Sequence, residues 1–185
     1  MPFSRARKPA APLDENALHE YAVKALGRRM RTVAELTRLI RAKVEAAPSG
    51  QAKIDSVLAR LKEYGYIDDA GYAATYTKLR QENSSLGKRR VCQDLSVKGV
   101  PPELIAQTLD TAYADVDEEA LARRHLERKR VKKPAKEKEA ARVMRVLVRA
   151  GFSTGVIFKI LKSWDVQDEA LGALESDDGS DRLDD

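Results

Sequence analysis

The chain has 185 residues, enough for one or two compact domains or a short array of repeats. Charged residues make up 34% and aromatics 5%, a balance that favours helices with thin apolar faces over a thick sheet-based core, and the net charge of +5 favours a polyanion or an acidic protein surface as partner. One cysteine excludes an internal disulfide framework and points to a reducing, cytoplasmic home, and no apolar run approaches the ~20 residues that a membrane-spanning helix needs.

Residues 1–13, with Arg5, Arg7 and Lys8, are expected to form a flexible basic arm. Asp14 stands where it can cap a first helix, in which Ala17, Leu18, Tyr21, Ala22, Ala25 and Leu26 make one apolar stripe, stopped by Gly27. Thr32 and Glu35 have the spacing of a capping box, and behind them Val33, Leu36, Ile40 and Val44 recur at helical steps. Pro48-Ser49-Gly50 is expected to break that run. A third helix then carries Ile54, Val57, Leu58, Leu61 and Tyr64 and stops at Gly65. Three short helices with one stripe each can bury those stripes only against one another, so residues 14–67 are expected to form a three-helix unit.

A second unit over 68–115 has the same plan. Asp68 or Asp69 can accept the free N–H groups of its first helix, along which Tyr72, Ala73, Tyr76 and Leu79 recur. Val91 and Leu95 lead to Gly99, and Pro101-Pro102 opens a helix bearing Ile105, Leu109 and Tyr113. A third unit over 116–165 begins at Asp117-Glu118-Glu119, with Leu121 and Leu126 next. A basic segment over 128–138 surrounds Pro134, Val143 and Leu147 lead to Gly151, and Ser153 can cap a last helix with Val156, Ile157, Ile160, Leu161 and Trp164 inward. The repeat shows by subtraction: Val91, Leu95, Gly99, Ile105 and Leu109 match Val143, Leu147, Gly151, Ile157 and Leu161 at a constant offset. The fold expected is all-α, an elongated array of three tandem three-helix repeats. Residues 166–185 are acidic and poor in apolar side chains, and are expected to be a disordered tail.

Catalytic chemistry is hard to assemble from these residues. Cys92 has no local histidine, and His19 and His125 are isolated, which is expected of partly exposed helix histidines rather than metal ligands. Gly87-Lys88 resembles the end of a phosphate loop, but position 82 is not glycine and Arg89 stands where Ser or Thr belongs. No catalytic residue, metal or cofactor is expected, and the chain reads as a non-enzyme. Cations are the informative groups. Arg28, Arg29 and Arg31 stand at the first helix junction, Lys88, Arg89 and Arg90 at the corresponding place in the second unit, and Arg128, Lys129, Arg130, Lys132 and Lys133 in the third. Together they are expected to form a basic band suited to a phosphate backbone or an acidic protein groove.

The pairing of Gly65-Tyr66-Ile67-Asp68-Asp69 and Tyr72 with Gly87-Lys88-Arg89-Arg90-Val91, Asp94-Leu95 and Gly99 resembles the RecX family of bacterial regulators of the RecA recombinase, over about Leu18 to Trp164. Gly87, Arg90, Val91, Asp94 and Leu95 match the family's Gly-Pro-x-Arg-Ile-x-x-Glu-Leu pattern, with Lys88 in place of proline. Gly71 stands where many members have arginine before Tyr72, and the acidic tail and the extra residues near Pro48 are further departures. The resemblance implies a monomer that binds the RecA–DNA filament in its helical groove, inhibits RecA ATPase and strand exchange in DNA repair and recombination, and binds single- or double-stranded DNA weakly by itself. Two other readings differ in class. Residues 57–67 resemble a winged-helix recognition helix and the turn after it, although a wing needs two alternating strands where Ala73, Ala74 and Tyr76 continue as helix. A passive helical-repeat scaffold leaves the basic band without a task.

Overall fold

Helical periodicity governs the molecule. In the structure, a computed structural model that describes residues 11–164, the elements are α1 (Glu15–Leu26), α2 (Val33–Arg41), α3 (Pro48–Glu63), α4 (Asp69–Ser84), α5 (Lys88–Val97), α6 (Pro102–Tyr113), α7 (Glu118–Arg128), α8 (Glu137–Arg149) and α9 (Thr154–Lys162). The described residues hold no strand, so the wing that the winged-helix reading needs is missing among them. Arg5, Arg7 and Lys8 of the expected arm and the acidic segment 166–185 lie outside the described residues.

The chain divides into two compact units, Met1–Tyr72 with Val97–Pro101, and Ala73–Ser96 with Pro102–Asp185. In the first, Leu18 and Ala22 of α1, Leu36 and Ile40 of α2 and Ile54, Val57 and Leu61 of α3 form one core. In the second, Leu121 and Leu126 of α7, Val143 and Leu147 of α8 and Ile157, Ile160 and Leu161 of α9 do the same, with Phe152 between them. Each fully buried aliphatic side chain contributes about 1.5–3 kcal/mol relative to exposure. The apolar pairs matched by subtraction are all buried: Val91 with Val143, Leu95 with Leu147, Ile105 with Ile157, and Leu109 with Leu161.

Several stripe positions differ from expectation. Tyr64 and Leu79 are exposed, because Gly65 ends α3 just beyond Tyr64 and Thr77, not Leu79, faces inward on α4. Pro48-Ser49-Gly50 does not break the chain but forms the first turn of α3, since proline loses no intrahelical bond at a helix start. Gly50 is buried there, and a Cβ would stand 2.1 Å from the Glu45 carbonyl oxygen. Thr32 supplies half of the capping box: its Oγ1 accepts from the Glu35 N–H at 3.0 Å, while the Glu35 carboxylate turns to Lys98 at 3.3 Å. Burial works against the Lys98 charge, but Tyr72 and Glu35 more than offset it and raise the pKa of the ammonium. Ser153 places its hydroxyl on Glu118 at 2.8 Å instead of capping α9. The two neighbouring acids divide their work. Asp68 accepts from the Ala70 and Gly71 N–H groups at the start of α4, whereas Asp69 accepts from the Val33 N–H at the start of α2, 2.9 Å away.

Gly65, Gly99 and Gly151 have φ of 69, 78 and 86°, the left-handed conformation that ends a helix without a Cβ penalty. At Gly65 the closing bond is made by the Tyr66 N–H to Leu61 at 2.8 Å, so the Tyr66 backbone carries the motif and its ring is exposed. Gly99 and Gly151 also make matching contacts. The turn at Gly99 sits on the start of α2: Thr32 Oγ1 donates to the Lys98 carbonyl at 2.7 Å, and a Cβ on Gly99 would stand 2.5 Å from Ala34 Cβ. The turn at Gly151 sits on the start of α5: Gly87 N–H donates to Ala150 at 2.8 Å and Arg89 N–H to Gly151 at 3.3 Å. The same glycine turn thus seals two successive second-position helices.

Candidate functional site

The seal on α5 positions the first of the basic clusters. Lys88, Arg89 and Arg90 form the first turn of α5 rather than a turn between helices, at the end where the macrodipole opposes cations. The carbonyls of Ala150 and Gly151, the negative end of α8, offset that by accepting from the N–H groups of Gly87, just before α5, and of Arg89 within it. Carboxylates neutralise two of the three side chains, with Lys88 Nζ 2.7 Å from Asp110 and Arg90 Nε 3.0 Å from Asp94. Gly87 is needed at this crossing because a Cβ would lie 2.3 Å from the Gly151 oxygen.

Arg90 and Asp94 belong to the wall of an open groove of about 1100 Å³ in the second unit. One side is the end of α4, with Arg80, Asn83 and Ser84, and the other is α8, with Glu139, Arg142, Val146 and Arg149. The end of α7 and the turn after it supply His125, Arg128, Lys129, Arg130, Lys132 and Lys133. Cations far outnumber the two acids, Asp94 and Glu139. Of the expected basic residues, the groove brings together Arg90 and the five from Arg128 to Lys133. Lys88 and Arg89 stand outside its lining, and Arg28, Arg29 and Arg31 lie in the first unit, Arg28 and Arg29 exposed and Arg31 half-buried.

Local interactions fix the groove's shape. His125 is buried, contrary to expectation, because its Nδ1–H donates to the Ser84 carbonyl at 2.9 Å and its ring meets Phe152 edge-on. Arg128 donates to the Asn83 carbonyl, so two α7 side chains close the carboxyl end of α4. The linker to α5 is held at Leu86 by the Tyr113 hydroxyl at 2.8 Å, and burial raises the Tyr113 pKa to about 12. On the wall, Tyr76 donates to Asp94 at 3.0 Å while the Arg80 guanidinium stacks 4.7 Å from its ring centre. Burial pushes the Tyr76 hydroxyl pKa up, and Asp94 adds to the rise against the opposing Arg80. Arg130 has φ of 53°, a left-handed conformation rare for a side-chain-bearing residue, and the Val131 N–H closes α7 onto Leu126 at 2.9 Å.

Sequence reasoning missed Arg80, Arg142 and Arg149. Glu139, Arg142, Val146 and Arg149 recur at helical steps, so the signal was a polar stripe on α8 opposite its apolar one. The described residues contain no cluster of His, Cys, Asp or Glu that could hold a metal ion, and no helix among them is long and apolar enough to cross a membrane.

Two family models match the chain, the second three-helix domain of RecX at residues 68–109 and the third at 117–161. The regulatory protein RecX of Trichlorobacter lovleyi is 33% identical over 144 residues, covering 76% of this chain and 91% of that one. The chain belongs to the RecX family. The RecX of Thermus thermophilus is 34% identical and likewise matched over 91% of its length, across 80% of this chain. Against the RecX of Bacillus licheniformis, 31% identical over 87% of this chain, the chain spans only 57% of the relative's length. RecX from Lactobacillus salivarius has the same fold, with a TM-score of 0.66 over 82% of this chain and 96% of that one at 19% identity. The all-α repeat architecture is therefore that of RecX proteins.

Proposed function

We propose that this chain binds the RecA–DNA filament and modulates it, in the direction of inhibiting RecA ATPase and strand exchange. Membership of a family of regulatory proteins carries the reading, and the cationic groove of the second unit supports it. A groove with guanidinium groups on both walls suits phosphate or carboxylate, because each guanidinium can pair with two oxygens at once. Binding to DNA alone is weaker in this reading, and the protein acts as a monomer in the cytoplasm, without catalysis of its own.

Charge reversal in the groove tests it. Lys129→Glu/Arg130→Glu/Lys132→Glu should keep the helical content but lose at least tenfold in co-sedimentation with RecA filaments, and lose its effect on RecA ATPase. Arg28→Glu/Arg29→Glu in the first unit measures the contribution of the other basic turn. Reversing Lys88 and Arg90 would set Glu against Asp110 and Asp94, so Arg89→Glu alone is the cleaner probe of α5. Wild-type binding should fall as salt rises from 50 to 200 mM. A folded groove mutant that binds and inhibits like wild type would sink the proposal.

A further inference from the structure

Charge is divided unevenly along the chain, and the groove lies close to where the excess negative charge begins. The net charge is +5, but residues 165–185 contain nine Asp and Glu against Arg182 alone, contributing −8 and leaving +13 on the rest. Helix α9 ends at Lys162, and the next residue, Ser163, accepts at Oγ from the Arg123 guanidinium of α7 at 2.9 Å. Arg123 is five positions before Arg128, whose side chain lines the groove, and at 1.5 Å per residue that is about 7.5 Å along α7. An extended chain spans ~3.3–3.6 Å per residue, so about three residues beyond Trp164 cover the distance.

From this complementarity of charge and reach we infer that the groove is the docking site of the chain's own acidic segment, residues 165–185. Its carboxylates pair with Arg128 and Arg130 at the end of α7, with Lys132 in the turn, and with Arg142 and Arg149 on α8. A tethered segment acts at an effective concentration in the millimolar range, so individually weak exposed pairs suffice to keep the groove covered. A denser polyanion displaces the segment, which makes it a built-in competitor that raises the threshold for binding nucleic acid. The inference goes beyond the filament reading and does not require RecA.

Carbodiimide coupling of the full chain at dilute concentration and low salt, followed by peptide mass spectrometry, tests the contact. Amide links are expected between Lys129, Lys132 or Lys133 and carboxylates of residues 165–185, within single chains, and suppressed near 1 M salt, where the screening length is about 3 Å. A full-length variant with every Asp and Glu of 165–185 changed to Asn or Gln tests the competition, with a labelled single-stranded oligonucleotide followed by anisotropy. Neutralisation should tighten binding about tenfold at 50 mM salt and less at 200 mM, and Arg130→Glu/Lys132→Glu should remove that gain. Either the absence of such links or an unchanged affinity of the neutralised variant overturns the inference. Positive results in both, with no co-sedimentation on RecA filaments, would instead count against the filament reading and leave the contact standing.

Discussion

Substituting alanine at the three left-handed glycines separates backbone strain from steric conflict. Each change puts a Cβ on a residue at positive φ, which costs about 1–2 kcal/mol, offset by roughly 0.4–1 kcal/mol from the stiffer unfolded chain. At Gly65 nothing lies within 4 Å of the new Cβ, so Gly65→Ala should cost only this net strain, about 0.5–1 kcal/mol. At Gly99 the Cβ would stand 2.5 Å from Ala34 Cβ, which is fixed to the α2 backbone and cannot rotate away. At Gly151 it would stand 2.2 Å from the Arg90 nitrogen and 2.9 Å from its Cα, so the start of α5 must move. Forcing apart a packed contact adds ~1–3 kcal/mol, which puts Gly151→Ala at about 1.5–4 kcal/mol in all. The expected order of damage is Gly65→Ala, then Gly99→Ala, then Gly151→Ala. For a domain of this size each kcal/mol lowers Tm by roughly 2–4 °C, so Gly151→Ala should melt on the order of 10 °C below wild type. Circular dichroism follows all three variants, and fluorescence of Trp164, the single tryptophan, follows the core around Gly151. If Gly65→Ala proves as damaging as Gly151→Ala, the α5 seal is not a close contact and the account of Gly87 fails with it.

Two further substitutions probe the groove from opposite sides. Arg130→Gly should raise stability by about 0.5–1 kcal/mol, since glycine takes the left-handed conformation freely, while weakening oligonucleotide or filament binding; a loss of stability in urea would contradict this. The Tyr113 hydroxyl titrates near 10 when unfolded and near 12 when folded, so its contribution is complete below pH 10 and is lost as pH rises through 12. Tyr113→Phe should therefore be less stable at neutral pH, with the Leu86 carbonyl unpaired, and its deficit should narrow between pH 10 and 12 in a urea series. A deficit that stays constant across that window would show that the hydroxyl proton plays no part.

Much of the fold was legible because its signals are local. Asp14 and Thr32 each accept a backbone N–H three residues on, which spacing alone predicts. Gly65, Gly99 and Gly151 follow apolar stripes and all take left-handed backbones. The misreadings arose where a residue's use was decided at a distance. Pro48 and Gly50 look like a break, yet one opens a helix and the other admits the Glu45 carbonyl. Asp69 looks like a spare cap for its own helix and serves α2 instead, 36 positions back. Leu79 looks like part of the apolar stripe of α4 and is exposed, while Thr77 is buried.

The candidate site was half legible, for a reason that separates composition from geometry. Runs of cations such as Lys88 to Arg90 and Arg128 to Lys133 are conspicuous in a sequence, and each was a fair candidate. Whether a cation is available depends on what faces it. Lys88 is drawn to Asp110, a residue on α6, and so leaves the groove to others. Arg80, Arg142 and Arg149 stand singly and are inconspicuous in sequence, yet they complete the walls because α4 and α8 flank the end of α7. His125 is the pivot of that arrangement, since its bond to Ser84 ties α7 to the end of α4, where Arg128 also donates to Asn83. An isolated histidine of the groove lining thus anchors the basic cluster to α4, a role that only the packing reveals.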